Sequence, residues 1–193
     1  MSELLGVILA GGRSTRMGQD KATLPYKGAR LIDHIADRMA GALGQSREEI
    51  LVSGQVSGFT CITDQEPGLG PVAGIFSSLQ VLNTQKPEWV LFVPVDMPEL
   101  CETTLKTLCS APRPGACEMV CFEESSLPAL IRCSDRVLAV LKSFCDKKTP
   151  EPFRSVKLLS KMLRTKTIDL PVGFQPEQVL LNVNTPEQWS EWT

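Results

Sequence analysis

Short runs of apolar, β-favouring residues alternate along this chain with stretches of helical periodicity, and that alternation limits the possible folds most. LLGVILA, EEILVSG, FTCIT and EWVLFVPVD read as strands, the last as the clearest central one. Between them, LIDHIADRMAGAL repeats its apolar residues at helical spacing: Leu31, Ile32, Ile35, Ala36, Met39 and Leu43. VAGIFSSLQVL follows the turn EPGLGP as a helix, and PELCETTLKTLC follows the central strand. Then come strand-like CEMVCF and LPALIRC, helix-like DRVLAVLKSFC and RSVKLLSKML, the segment VLLNVNT and a final PEQWSEW. Strands separated by helices of about ten residues require crossover connections, hence a mostly parallel sheet covered on both faces. The expected fold is a Rossmann-like, three-layer α/β/α domain.

The 193 residues suit one domain, 1–193, with a single sizeable core. CDKKTPEPF, charged and with two prolines, reads as an exposed loop too short to separate domains. A net charge of −2 offers no basic surface for nucleic acid or membrane, although a small nucleotide needs only a local positive patch. MSELLGVILAGG lacks the basic start of a targeting segment, and no stretch approaches the roughly 18 apolar residues of a membrane span. Seven cysteines (61, 101, 109, 117, 121, 133, 145) without a CxxC pair read as reduced thiols of a cytoplasmic protein. With one histidine, His34, a Cys/His zinc site is not expected.

In open α/β sheets, ligands bind beyond the carboxyl ends of strands. That places a site among three segments: Leu9 to Lys21, Asp64 to Pro71, and Asp96. The first, LAGGRSTRMGQDK, is neither a Walker loop nor a GxGxxG fingerprint. Its glycines nonetheless suit a phosphate cradle: Gly11 and Gly12 let backbone N–H groups approach an anion, while Arg16 and Lys21 supply positive charge. Asp96 suits Mg²⁺, which takes one or two protein carboxylates and completes its shell with water and substrate phosphates. It also suits a helix N-cap, standing before Pro98. Asp64 serves either the site or a turn. Asn182 and Asn184 would share one face of a strand, or form an Asn/Thr turn capping the last helix.

LAGGRSTRMGQDK resembles the N-terminal signature LAGGxSxRMGxDK of the molybdenum cofactor guanylyltransferases, within the wider nucleotidyltransferase family. GLGPVAGI, VPVDMPEL and NVNTPEQW resemble three further family segments, in the same order. The resemblance implies an enzyme that transfers GMP from Mg·GTP to the phosphate of molybdenum-bound molybdopterin and releases pyrophosphate. Leu9, Ala10 and Gly11 would hold the guanosine by backbone contacts, and Gly12 would shape the loop. Arg16 and Lys21 would face the triphosphate, Asp64 would lie near the nucleotide, and Asp96 would bind Mg²⁺. Asn182 and Asn184 would lie near molybdopterin or the metal. Residues 1–100 would form the nucleotide half and 101–193 the acceptor half, with molybdoenzymes or cofactor chaperones as onward partners. Ser53 stands where the family often has Asn, and Cys117 to Lys166 resembles it only loosely, keeping the Leu-Pro-Ala step and Arg154. A cytidylyl or sugar-1-phosphate transferase of the same fold, and a non-catalytic nucleotide-binding or cofactor-handover module, are the alternatives. Cytidine-specific members tend to read LAAG, so LAGG favours GTP.

Overall fold

The computed structural model describes residues 4–11, 21–64, 69–146 and 154–190. Its main sheet has seven strands. Four are parallel: β1 (Leu4–Leu9), β4 (Leu51–Ser53), β5 (Thr60–Ile62) and β6 (Trp89–Pro94). Beside them lie β7 (Met119–Phe122), β8 (Ala129–Arg132) and β9 (Thr165–Ile168), giving the order β5-β4-β1-β6-β8-β7-β9. β8 runs antiparallel to both neighbours, and β7 and β9 are parallel to each other. A small hairpin of β2 (Pro25–Tyr26) and β3 (Ala29–Arg30) stands apart.

The alternation of side chains along each strand makes three layers. Ile8, Val52, Leu91, Val93, Val120 and Phe122 face one core. That core is shared with α1 (Leu31–Leu43) and α3 (Glu102–Ser110). Val7, Leu9, Val90, Phe92, Met119 and Cys121 face the other, beneath α2 (Pro71–Leu82), α4 (Asp135–Phe144) and α5 (Val156–Met162). Every residue of β6 is buried, as a central strand covered on both faces requires. Each such Val, Leu, Ile or Phe contributes about 1.5–3 kcal/mol by leaving water.

Ordinary local chemistry sets the helix ends. α1 buries Leu31, Ile32, Ile35, Ala36 and Met39, the expected stripe. Pro71 opens α2 at a position whose N–H needs no partner. Ser134 and Ser155 cap α4 and α5 by accepting from the N–H groups of Val137 and Leu158.

Two features differ from the sequence expectation. β9, sequence TKTI, has too little apolar character to announce a strand, yet it forms the sheet edge beside β7, where half-exposed polar residues suit an edge. VLLNVNT is not a strand. A short helix, α6 (Pro176–Val179), leads into an irregular stretch, and α7 (Pro186–Ser190) follows. There Thr185 Oγ1 accepts the Gln188 N–H while Gln188 Oε1 accepts from Asn184 and Thr185, so the turn-and-cap alternative holds. Most of CDKKTPEPF lies outside the described residues.

At the head of β7, the Glu118 carboxylate is almost wholly buried and accepts from Arg136, from the Arg164 guanidinium at 2.9 Å and from the Arg164 N–H at 3.0 Å. Burial alone would raise its pKa; the two arginines outweigh that and hold it down at about 2. The cluster ties α4 and the approach to β9 onto the sheet.

Candidate active site

The site forms where the parallel strands end. Leu9 completes β1, and its carbonyl accepts the Val95 N–H at 3.1 Å, which draws the end of β6 alongside. The next two amides, Ala10 and Gly11, both donate to the Ser53 carbonyl at the end of β4, at 3.0 and 2.8 Å. The Gly11 N–H expected to face an anion is therefore engaged in bracing the loop. Gly12 and Arg16 lie outside the described residues.

Two glycines make this junction possible by their lack of a Cβ. Gly54, at φ 136°, passes so close to Gly11 that a Cβ would sit 3.1 Å from its nitrogen. Gly74 brings α2 against β4, where a Cβ would sit 2.7 Å from Ser53 Oγ. Val72 and Ile75 beside it are core residues, as expected.

Lys21 opens a single 3₁₀ turn, Lys21–Thr23, and its ammonium is the centre of the group. Nζ donates to Asp96 Oδ2 at 3.1 Å and to Asn184 Oδ1 at 2.7 Å. Residues 75 and 163 positions apart thus converge on one charge, with Lys21 and Asp96 side chains 17% and 23% exposed. Both are open enough for a ligand and sheltered enough to keep their geometry. Asp96 follows β6 by two residues and does not cap α3, whose N-cap is Cys101. The N-cap reading of this aspartate therefore fails, and nothing in the helix explains its carboxylate. Its carbonyl accepts the Val183 N–H at 2.9 Å, which fastens the C-terminal stretch to the sheet. Val183 is buried and the flanking Asn182 and Asn184 are exposed.

Asp64 takes a different partner: its Oδ1 accepts from the Ser77 hydroxyl of α2 at 3.2 Å. His34 is half-buried, with Nε2 2.7 Å from the Tyr26 carbonyl. Among the described residues, which include all seven cysteines, there is no disulfide and no cluster of three or more His, Cys, Asp or Glu able to hold a metal by themselves. Among the described residues, one carboxylate beside a lysine is a donor set that fits Mg²⁺ arriving on phosphates.

Sequence reasoning missed the groups that fasten the loop after Asp96. Arg38 of α1 donates to the carbonyls of Pro98 and Leu100, the latter at 2.9 Å. Glu99 accepts from the Tyr26 hydroxyl and, at 3.1 Å, from Lys27. Burial works against the Glu99 anion, yet these donors hold its pKa below the usual carboxylate value. Only Glu99, three residues after Asp96, carried a local hint.

Residues 6–163 match the model of the MobA-like NTP transferase domain. The chain belongs to that nucleotidyltransferase family. A molybdenum cofactor guanylyltransferase from Xanthomonas euvesicatoria pv. vesicatoria is 37% identical over 187 residues, covering 96% of this chain and 92% of the relative. Another from Vibrio cholerae is 29% identical, covering 99% and 92%. A solved structure of molybdopterin-guanine dinucleotide biosynthesis protein A from Archaeoglobus fulgidus superposes with a TM-score of 0.72. That pair shares 16% identity over 96% of this chain and 95% of the other, a likeness of fold. The mostly parallel sheet with helices on both faces, expected from the alternation of segments, is the nucleotidyltransferase architecture that the family resemblance implied.

Proposed function

We propose that this chain transfers GMP from Mg·GTP to the phosphate of molybdenum-bound molybdopterin, forming the guanine dinucleotide of the cofactor and pyrophosphate. The observation that carries the reading is the convergence of Lys21, Asp96 and Asn184 at the strand ends, in a family member with an end-to-end guanylyltransferase relative. The first hundred residues hold the nucleotide and the remainder receives the acceptor. Asp96 would hold Mg²⁺, which when bound neutralises triphosphate charge.

The chain's residues mainly position and neutralise. Leu9, Ala10 and Gly11, braced by Ser53 and Val95, present a fixed backbone edge to the guanosine. Lys21 exchanges its bonds to Asp96 and Asn184 for phosphate oxygens, and Arg16 adds a second cation. An acceptor phosphate oxygen attacks the α-phosphorus as the bond to the pyrophosphate oxygen breaks in line. That oxygen is already ionised, so no general base is needed and no enzyme nucleophile takes part. Asp64 borders the nucleotide, and Asn182 and Asn184 border the acceptor. The setting is the cytoplasm, and the product passes to molybdoenzymes or cofactor chaperones. Among the described residues, no helix is long and apolar enough to cross a membrane.

The test is thermal unfolding with Mg²⁺ and GTP, CTP, ATP or UTP, followed by transfer of α-labelled GMP to the pterin acceptor. A nucleotide at 100 times its Kd adds roughly 2.7 kcal/mol. GTP alone should do so, and Asp96→Ala should abolish transfer with the fold intact. Stabilisation by CTP instead of GTP would assign the chain to cytidylyl transfer.

A further inference from the structure

Lys21 and Asp96 are far apart in the chain, so their 3.1 Å approach depends on how the segments carrying them are joined. The segment after Lys21 runs through the 3₁₀ turn into β2, where Tyr26 is 1% exposed. The segment after Asp96 folds back with Met97 and Leu100 in the core. Between these two segments, the Tyr26 hydroxyl donates to Glu99 Oε1. This bond lies five residues beyond Lys21 on one side and three beyond Asp96 on the other. The Tyr26 ring is fixed edge-on to His34 at 5.1 Å and packs against Trp189 of α7 at 6.0 Å. The phenol is therefore a rigid donor, and the glutamate it holds sits on the loop that carries the metal-site carboxylate.

We infer that Tyr26 and Glu99 form a positioning pair that sets where the Asp96 carboxylate stands relative to Lys21. Neither group reaches the reacting atoms. Arg38 anchors the same loop from α1 through its carbonyls, which fixes the backbone near the core. Besides the Lys21–Asp96 pair itself, Glu99 links the lysine segment to the aspartate segment through two donors, the buried Tyr26 hydroxyl and, at 3.1 Å, Lys27. Lys27, more than half exposed, adds charge at Glu99 without defining geometry. The inference rests on the reading that Asp96 binds the metal.

The experiment titrates Mn²⁺, as a paramagnetic stand-in for Mg²⁺, into the protein with GTP present and acceptor absent, so that no turnover occurs. Free Mn²⁺ is read by electron paramagnetic resonance, and unfolding midpoints are recorded in parallel. Tyr26→Phe keeps the ring and its packing and removes only the donor. Tyr26→Phe and Glu99→Ala should each weaken Mn²⁺ binding about tenfold, the lower end for groups that orient a metal ligand. The double variant should be no worse than Glu99→Ala alone, because Tyr26→Phe breaks a bond that Glu99→Ala has already removed. Glu99→Gln, which still accepts from the phenol, should stay within about threefold of wild type. If Asp96→Asn abolishes Mn²⁺ binding while Tyr26→Phe and Glu99→Ala only lower the unfolding midpoint, the pair is merely structural and the inference is overturned. If Asp96→Asn leaves Mn²⁺ binding intact, the metal reading itself fails and the inference with it.

Discussion

Replacing Gly74 by alanine adds a methyl group 2.7 Å from Ser53 Oγ, closer than side chains tolerate. Two opposing effects set the outcome. Alanine is favoured over glycine in a helix interior by about 1 kcal/mol. Overpacking a dense interior costs about 1–3 kcal/mol. Ser53 is 1% exposed, which leaves its hydroxyl little space to move into, so the steric cost should win and leave a net loss of about 1 kcal/mol. Without the hydroxyl, the nearest neighbours of the new methyl are Leu9 Cδ2 at 3.4 Å and the residue 53 Cβ at 3.6 Å, ordinary contacts. In a Ser53→Ala background the same substitution should therefore stabilise by about 1 kcal/mol, a coupling of about 2 kcal/mol between the sites. Urea unfolding of the four proteins measures it directly. The Ser53 carbonyl also braces Ala10 and Gly11, so Gly74→Ala should raise KM for GTP and the double variant should restore it. Equal costs in the two backgrounds would show that α2 and β4 are not in the tight register described.

Lys21→Ala should lower kcat about a hundredfold, the usual loss for a charge stabiliser, and should raise the Kd for GTP by equilibrium binding; unchanged affinity would count against a phosphate role. The buried Glu118 carboxylate titrates at about 2 when folded against 4.5 ordinarily, so its stabilisation is complete above about pH 5 and is lost as pH falls toward 2. The shift corresponds to about 3 kcal/mol, reduced to about 2 because both arginine partners are half exposed. Glu118→Gln should accordingly lose less stability than wild type between pH 6 and pH 3 in urea titrations, and equal losses would refute the clamp. Burial pushes the Cys109 and Cys121 thiols up to about 11, whereas Cys61 is exposed. A disulfide reagent at pH 8 should modify Cys61 quickly and the other two only on unfolding, as peptide mapping would show.

Most of the architecture was legible because strand and helix periodicities carry it: the same alternation that named β6 and α1 also decided which core each residue entered. The site was legible as segments sharing one sheet edge, not as contacts between particular groups. Lys21, Asp96 and Asn184 stood out as a lysine after a glycine-rich loop, an aspartate after a central strand, and an asparagine in a polar turn. No spacing in the chain says that one ammonium joins all three. The bracing was least legible of all. The Ser53 carbonyl that holds Ala10 and Gly11 is a backbone atom, present at every residue, and only the parallel register of β1 and β4 aims it. Tyr26 and Glu99 were assigned no role from the sequence, because a hydrogen bond across 73 residues leaves no periodic trace. Chemistry that needs a particular residue type can be read from sequence, whereas positioning depends on which segments the fold brings together. Functional residues overlooked in a chain of this kind should therefore lie among those that join distant segments around the recognised charges, as Tyr26 and Glu99 do here.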